Sequence, residues 1–214
     1  MTTAEGAGQA GQFADEAAES RAAALGMWVF LASEMLFFGT PLLAYAVYRT
    51  AYPAAFREAS RMLIAGLGAA NTAVLLLSSG AMAAGVRSRE GGRARSFRLW
   101  LALAALLGLA FLGIKGFEYH TDWREHLVPM RGMPFGFPGP EAGKARLFFA
   151  LYFCLTGLHA LHLLIAVVLA AAVAVPLSRN RPASVQGVRT LGLYWHFVDM
   201  VWVFLFPLLY LIGP

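Results

Sequence analysis

Tyr194-Trp195-His196-Phe197-Val198-Asp199-Met200-Val201-Trp202 lies inside the apolar stretch Leu191–Pro214, and its reading decides the fold. The stretch is apolar enough to span a bilayer, yet it holds a histidine and an aspartate three residues apart. Three residues is nearly one helical turn, so both side chains project from one face. An aspartate at a bilayer centre costs roughly 2.5–3.5 kcal/mol on insertion scales, so Asp199 must face protein, water or a partner. His196 is one candidate partner, and Trp195 and Trp202 supply the surrounding packing.

The rest of the chain repeats the pattern of apolar stripes broken by one or two ionisable groups. Of the 214 residues, 59% are hydrophobic and 14% charged, whereas soluble domains average about 25% charged. Roughly 20 apolar residues cross the hydrocarbon core, and five such stretches are present, at about 25–48, 62–86, 99–119, 147–175 and 191–212. The alternating short segments of a membrane barrel are missing. The expected fold is all-α: a polytopic integral membrane protein of five transmembrane helices, residues 25–214, behind an N-terminal polar tail, residues 1–24. That tail lacks the basic start and short apolar region of a signal peptide. It reads as disordered or surface-lying, and the first apolar segment as a retained helix.

The net charge of +5 comes mainly from arginines in short loops, which fits topogenic and lipid-headgroup roles. Nucleic-acid binding would need basic residues gathered on a soluble module. With the N-terminus inside, the cytoplasmic segments hold Arg21, the run Arg87, Arg89, Arg93, Arg95 and Arg98, and then Arg179, Arg181 and Arg189. The outer segments hold Arg49, Arg57, Arg61, Arg124, Arg131, Lys144 and Arg146. The dense run lies in a short loop, where the positive-inside rule is strongest. The expected orientation is N-in, C-out.

The longest loop, His120–Arg146, begins with a candidate interfacial helix at Asp122–Leu127. It then becomes too rich in proline and glycine for regular structure, so its apolar side chains are expected to lie against the membrane surface or a neighbour. There is no internal repeat. Gly66 with Ala70, and Ala69 with Ala73, would let helices approach closely, while Asn71, Ser78 and Ser79 are candidates for interhelical hydrogen bonds. Cys154, the single cysteine, rules out an internal disulfide and reads as a small packing residue.

The embedded polar residues are the candidate functional set. Glu34 lies about 13 Å along the first helix from Leu25, near mid-membrane, with Phe30, Leu31, Phe37 and Phe38 one turn away. It is read either as a proton-handling carboxyl or as a structural acid that pins helices. Lys115 and Glu118, near the outer end of the third helix, can pair on one face or snorkel separately to the interface. His159 and His162 share a face and could contribute to a metal or haem site. Hydrogen bonding between helices, to Glu34 or Asp199, is the preferred reading. His120, Asp122, Glu125 and His126 form a loose cluster outside the membrane, read as a solvated loop face with metal binding as the alternative. No phosphate loop, nucleophile–base pair or dinucleotide fingerprint is present.

Taken together, Gly26–Phe38, Leu76–Gly80, Lys115–Tyr119, Thr156–His162 and Tyr194–Trp202 resemble subunit III of the haem–copper respiratory oxidases, in the family's order. The ending Tyr-Trp-His-Phe-Val-Asp is the strongest of the five. The resemblance implies a non-catalytic subunit packed mainly on subunit I, with subunit II and other respiratory subunits as further partners. Haem and copper would lie in those partners, with no cofactor or metal in this chain beyond bound phospholipid. It also implies a bacterial inner-membrane location, and support of proton uptake and stability while oxygen is reduced to water and protons are pumped. Glu34 matches the family's embedded carboxylate; His159, His162, His196 and Asp199 match its polar interior. Many members have seven helices, and on this resemblance the chain would start at the equivalent of the third, without the first two helices that form one arm of a V-shaped, lipid-holding cleft. The five-helix form resembles quinol-oxidase and some bacterial cytochrome c oxidase versions. An accessory subunit of nitric oxide reductase is the close alternative, and a small proton-coupled transporter a more distant one.

Overall fold

The structure is a computed structural model describing residues 3–130, 132, 134–174 and 184–211, with side chains from Arg21 onward. Among these residues all regular structure is helical: α1 (Thr3–Ala51), α2 (Pro53–Arg61), α3 (Ala65–Glu90), α4 (Ala94–Arg124), α5 (Ala142–Ala174) and α6 (Val185–Tyr210). Five of the helices, all but α2, are long and apolar enough to cross a membrane. Arg131, Arg179, Arg181, the last residue of the expected fourth helix (Val175) and that of the fifth (Ile212) lie outside the described residues.

The helices run further than hydropathy suggests. At 31 residues, α4 is about 46 Å long, against a hydrocarbon core of about 30 Å. Its last turns therefore carry polar residues, and it continues through Asp122 to Arg124 where a separate interfacial helix was expected. Helix α1 likewise begins at Thr3 rather than near Leu25. The segment before Leu25 is rich in Ala and Glu, good helix formers, and Pro41 is the only proline in α1. The chain breaks at Tyr52-Pro53, because the residue before a proline is pushed out of the helical region. Pro53 then opens α2 from its first position, where a missing N–H costs nothing. Helix α2, which the loop reading missed, buries Ala55, Phe56, Ala59 and Ser60.

The chain divides into two compact units, Met1–Phe37 and Phe38–Pro214. The first is α1 alone up to Phe37, with Leu31 buried and Glu34 half-buried. In the second, α3, α4, α5 and α6 form a ring in which each packs on two neighbours, α3 on α4 and α6, and α5 on α4 and α6. The C-terminal end of α1 joins that unit through Tyr45, whose hydroxyl donates to the Leu208 carbonyl at 2.5 Å. Helix α2 joins it through Phe56, edge-on to Phe148 at 5.4 Å, and Ser60, which donates to the Leu209 carbonyl at 2.7 Å.

Close helix contact comes from a different face of α3 than expected. Gly66, Ala69, Ala70 and Ala73 are all exposed, and a Cβ on Gly66 would meet nothing. Gly68 is the close approach: a Cβ there would come within 2.8 Å of the Phe206 ring and 3.0 Å of the Tyr210 ring. Cys154, expected to pack, is exposed on the outside of α5.

At one end of the ring the α3–α4 turn, with Gly92 at φ 70°, meets the start of α6 through a Glu90–Arg189 ion pair at 2.6 Å. At the other end the His120–Arg146 loop folds back on the bundle. Gly136 N–H donates to the His126 carbonyl at 3.0 Å, Arg146 donates to the Met130 carbonyl, and Leu127 and Phe137 are buried. The apolar side chains of this irregular segment thus cover the end of their own bundle.

Candidate functional site: a buried ammonium and its cage

Lys115 and Glu118 sit one turn apart on α4, with side chains only 2% and 1% exposed, and pair at 3.0 Å. They do not snorkel. A buried ion pair is stable only when its remaining donors and acceptors are also satisfied, and three helices supply what is needed. The Lys115 ammonium donates to Glu118 Oε2 at 3.0 Å, to Tyr152 Oη on α5 at 3.0 Å and to Tyr210 Oη at the end of α6 at 2.8 Å. Each tyrosine passes its own proton on to Glu118 Oε1, at 3.0 Å from Tyr152 and 2.6 Å from Tyr210. All three ammonium protons therefore have an acceptor, and the carboxylate accepts three hydrogen bonds. The rings of Tyr119, Tyr152, Trp202 and Tyr210 stand 5.1, 4.9, 5.4 and 5.5 Å from the nitrogen, within cation–π reach. Gly68 on α3 makes room for the Tyr210 ring.

The residue spacing found the Lys115–Glu118 pair but missed Tyr152 and Tyr210. The missing signal was arithmetic. An ammonium brings three donors and one carboxylate cannot meet all three, so further hydroxyls had to come from neighbouring spans.

The other candidates are placed differently. His159 is fully buried, edge-on to Phe111 at 5.4 Å and 5.2 Å from the Trp202 ring, and neither ring nitrogen has a hydrogen-bond partner among the described residues. The expected hydrogen bond to Asp199 is therefore not made. His162 bonds through Nδ1 to the Leu158 carbonyl at 2.7 Å, on its own helix, and packs 5.0 Å from Phe38. His196 does not pair with Asp199: its Nδ1 is 2.7 Å from Ser79 Oγ on α3. Both Asp199 oxygens are buried without a hydrogen bond, although Ser79 stands beside them.

Ser78 donates across to the Ala104 carbonyl at 3.0 Å, but Asn71, the third expected interhelical donor, has no partner for either amide atom. Its neighbour Thr72 makes an interhelical bond instead, as the acceptor from Trp202 Nε1 at 3.0 Å. Of the loop cluster, Asp122 turns inward and is buried, while His120, Glu125 and His126 stay exposed. Among the described residues no three His, Cys, Asp or Glu side chains gather as a metal ion would need.

The geometry is that of a pin. Charged and hydroxyl groups on α4, α5 and α6 consume one another, so the arrangement resists helix separation and offers no open reacting position. Comparison with known proteins agrees with an oxidase reading of the chain. The family model described as Cytochrome c oxidase subunit III matches residues 143–214. A cytochrome c oxidase subunit 3 of Corynebacterium diphtheriae is 31% identical over 92% of this chain and 96% of its own length. One of Synechocystis is 31% identical over 87% of this chain and 74% of its own. A probable quinol oxidase subunit 3 of Staphylococcus aureus is 25% identical, covering 88% of each. With 31% identity over most of both proteins, and five helices of its own long and apolar enough to cross a membrane, the chain belongs to the cytochrome c oxidase subunit III family, as a multi-pass membrane protein.

Proposed function

We propose that the protein is a non-catalytic subunit of a bacterial haem–copper oxidase, packed on the catalytic subunit and supporting its stability and proton uptake. The observation that carries this is the closed Lys115–Glu118–Tyr152–Tyr210 network, which spends the bundle's strongest polar groups on holding helices together. The histidines support the same reading. One is packed against Phe111 and Trp202, one is bound to its own helix and one to Ser79, so they do not converge on a common ligand. Haem and copper then belong to partner subunits.

The arginine-rich end of the ring faces the cytoplasm on this reading. The Glu90–Arg189 pair brings Arg87, Arg89, Arg93, Arg95, Arg98 and Arg189 to one end, as the positive-inside rule wants. Glu34, half-buried on α1, is the carboxyl to which this reading assigns an influence on proton uptake.

The test is purification from native membranes, with identification of the accompanying subunits and haem spectra. Co-purification with haem- and copper-bearing oxidase subunits is expected. Isolation of the chain alone, with its own stoichiometric haem band or a transported solute, overturns the reading, and nitric oxide reductase subunits as companions replace it with the alternative. In the assembled complex Glu34→Gln is expected to leave assembly intact and to change oxygen consumption only modestly; complete loss of turnover in a haem-loaded complex contradicts an accessory role.

A further inference from the structure

We infer that the groove between α3 and α6 at Ser79, His196 and Asp199 is where a transmembrane helix of another oxidase subunit docks, presenting a neutral hydroxyl or amide side chain. The inference rests on the proposed oxidase role and goes beyond it by naming the face and its chemistry. His196 and Ser79 fall near the midpoints of α6 and α3, about 16 Å from one end of the helix and about 21 Å from the other. In a spanning helix that is the bilayer centre. Yet neither side chain is enclosed by this chain: both are half-buried, at the outer edge where the two helices meet.

Ser79 is the one hydrogen-bonding partner of His196 among the described residues, which leaves Nε2 unused. Just behind them Asp199, only 4% exposed, keeps both carboxylate oxygens unpaired. A polar notch open at mid-membrane is costly against lipid, where ionisable groups are found facing protein or water. The wall beside it is built for a protein neighbour. On α3 the outward row next to Ser79 is Ala69, Ala73, Leu76 and Gly80, all exposed, and a Cβ on Gly80 would meet nothing within this chain. Small residues in such a row let a second helix approach closely enough for side chains to hydrogen-bond across. Met200, one turn on from His196 and 56% exposed, forms the other lip. A neutral hydroxyl or amide satisfies His196 Nε2 and an Asp199 oxygen at less desolvation cost than a second charge.

The experiment places a photoreactive side chain at Gly80 or at Met200 in the otherwise unaltered chain, and irradiates the complex in native membranes. Cross-links from both positions to one and the same other oxidase subunit are expected. Adducts with lipid alone, or with a second copy of this chain, overturn the inference. In a second arm His196→Leu is expected to lower the chain's retention in the detergent-purified complex roughly tenfold, the size a lost buried hydrogen bond produces. Retention equal to the parent protein's counts against it, and if the variant fails to accumulate the cross-links still decide. Should the chain not travel with oxidase subunits at all, the functional proposal falls. Should it travel with them yet give no cross-link at Gly80 or Met200, only the docking face falls.

Discussion

Two neighbouring levels of the same bundle treat polar groups in opposite ways. Around Lys115 every donor and acceptor is matched: one ammonium, one carboxylate and two phenols close on themselves under four aromatic rings. One turn deeper, around Trp202, Asn71 and His159 are just as buried but carry four polar atoms with no hydrogen bond among the described residues. His159 and Trp202 also pack beside Phe111, so ring contacts hold this second level, with a single interhelical hydrogen bond among the described residues, from Trp202 Nε1 to Thr72, and none from Asn71 or His159. A residue's polarity therefore does not reveal its role inside a membrane bundle. What decides it is whether the neighbouring helices bring the complementary groups.

The sharpest way to break that comparison is to remove one member of the satisfied set. Glu118→Leu strands a buried ammonium and two phenolic hydroxyls at once. Breaking one side of a buried pair costs about 3–5 kcal/mol, whereas replacing both partners with apolar groups is often near neutral. Glu118→Leu should therefore lose about that much stability in reversible unfolding, and the double variant Lys115→Met/Glu118→Leu should recover most of it. If the double variant is as unstable as the single one, the network is not a closed unit.

A smaller effect is expected from the opposite wall. Gly68→Ala puts a methyl 3.0 Å from the Tyr210 ring and 2.8 Å from Phe206. Phe206 is half-buried and has room to shift, but Tyr210 is tied to Lys115 and Glu118. The expected loss is about 1–3 kcal/mol, the range for overpacking. Gly66→Ala, two residues away on the open face, should instead be neutral or slightly stabilising, since alanine is the better helix former. Equal effects at the two glycines would mean that the α3–α6 contact does not constrain Tyr210.

These two glycines also mark how far the sequence is legible. The five spans, the inward aspect of Asp199 and the one-turn spacing of Lys115 and Glu118 follow from hydropathy and helical period alone. The rest depends on which helix stands next to which. In a chain apolar on all sides, lipid-facing and core-facing stripes look alike, so the row Gly66, Ala69, Ala70 and Ala73 was indistinguishable from the face that carries Gly68. For the same reason His196 looked like a partner for Asp199 on its own helix, when Ser79 on α3 was the group within reach. Helix α2 was hidden because nine residues with few large apolar side chains read as a loop until Phe148 and Leu209 are seen to cover them.

The unpaired level gives a test of opposite sign. His159→Phe keeps an aromatic ring between Phe111 and Trp202 and deletes two nitrogens that have no partner. Leaving a buried polar atom unsatisfied costs about 1–3 kcal/mol, and an apolar group of similar shape removes that cost. The expected result is a gain of about 1 kcal/mol. A loss of comparable size would mean that His159 is hydrogen-bonded in the assembled complex, and the contrast between the two levels would collapse.

The smallest change belongs to an exposed ion pair at one end of the bundle, Glu90–Arg189. Its 2.6 Å separation is shorter than that of Lys115–Glu118. By distance alone it should be the stronger of the two. Its side chains, however, are 37% and 55% exposed, so water and salt screen the attraction and each charge keeps its hydration when the other is removed. Glu90→Gln should therefore shift stability by about 0.5 kcal/mol or less, and raised salt should erase even that. The same substitution at Glu118 leaves a buried ammonium without its counter-charge and should remain severe at any salt. If the two glutamines behaved alike, burial would not be what gives the Lys115 cluster its hold on α4, α5 and α6.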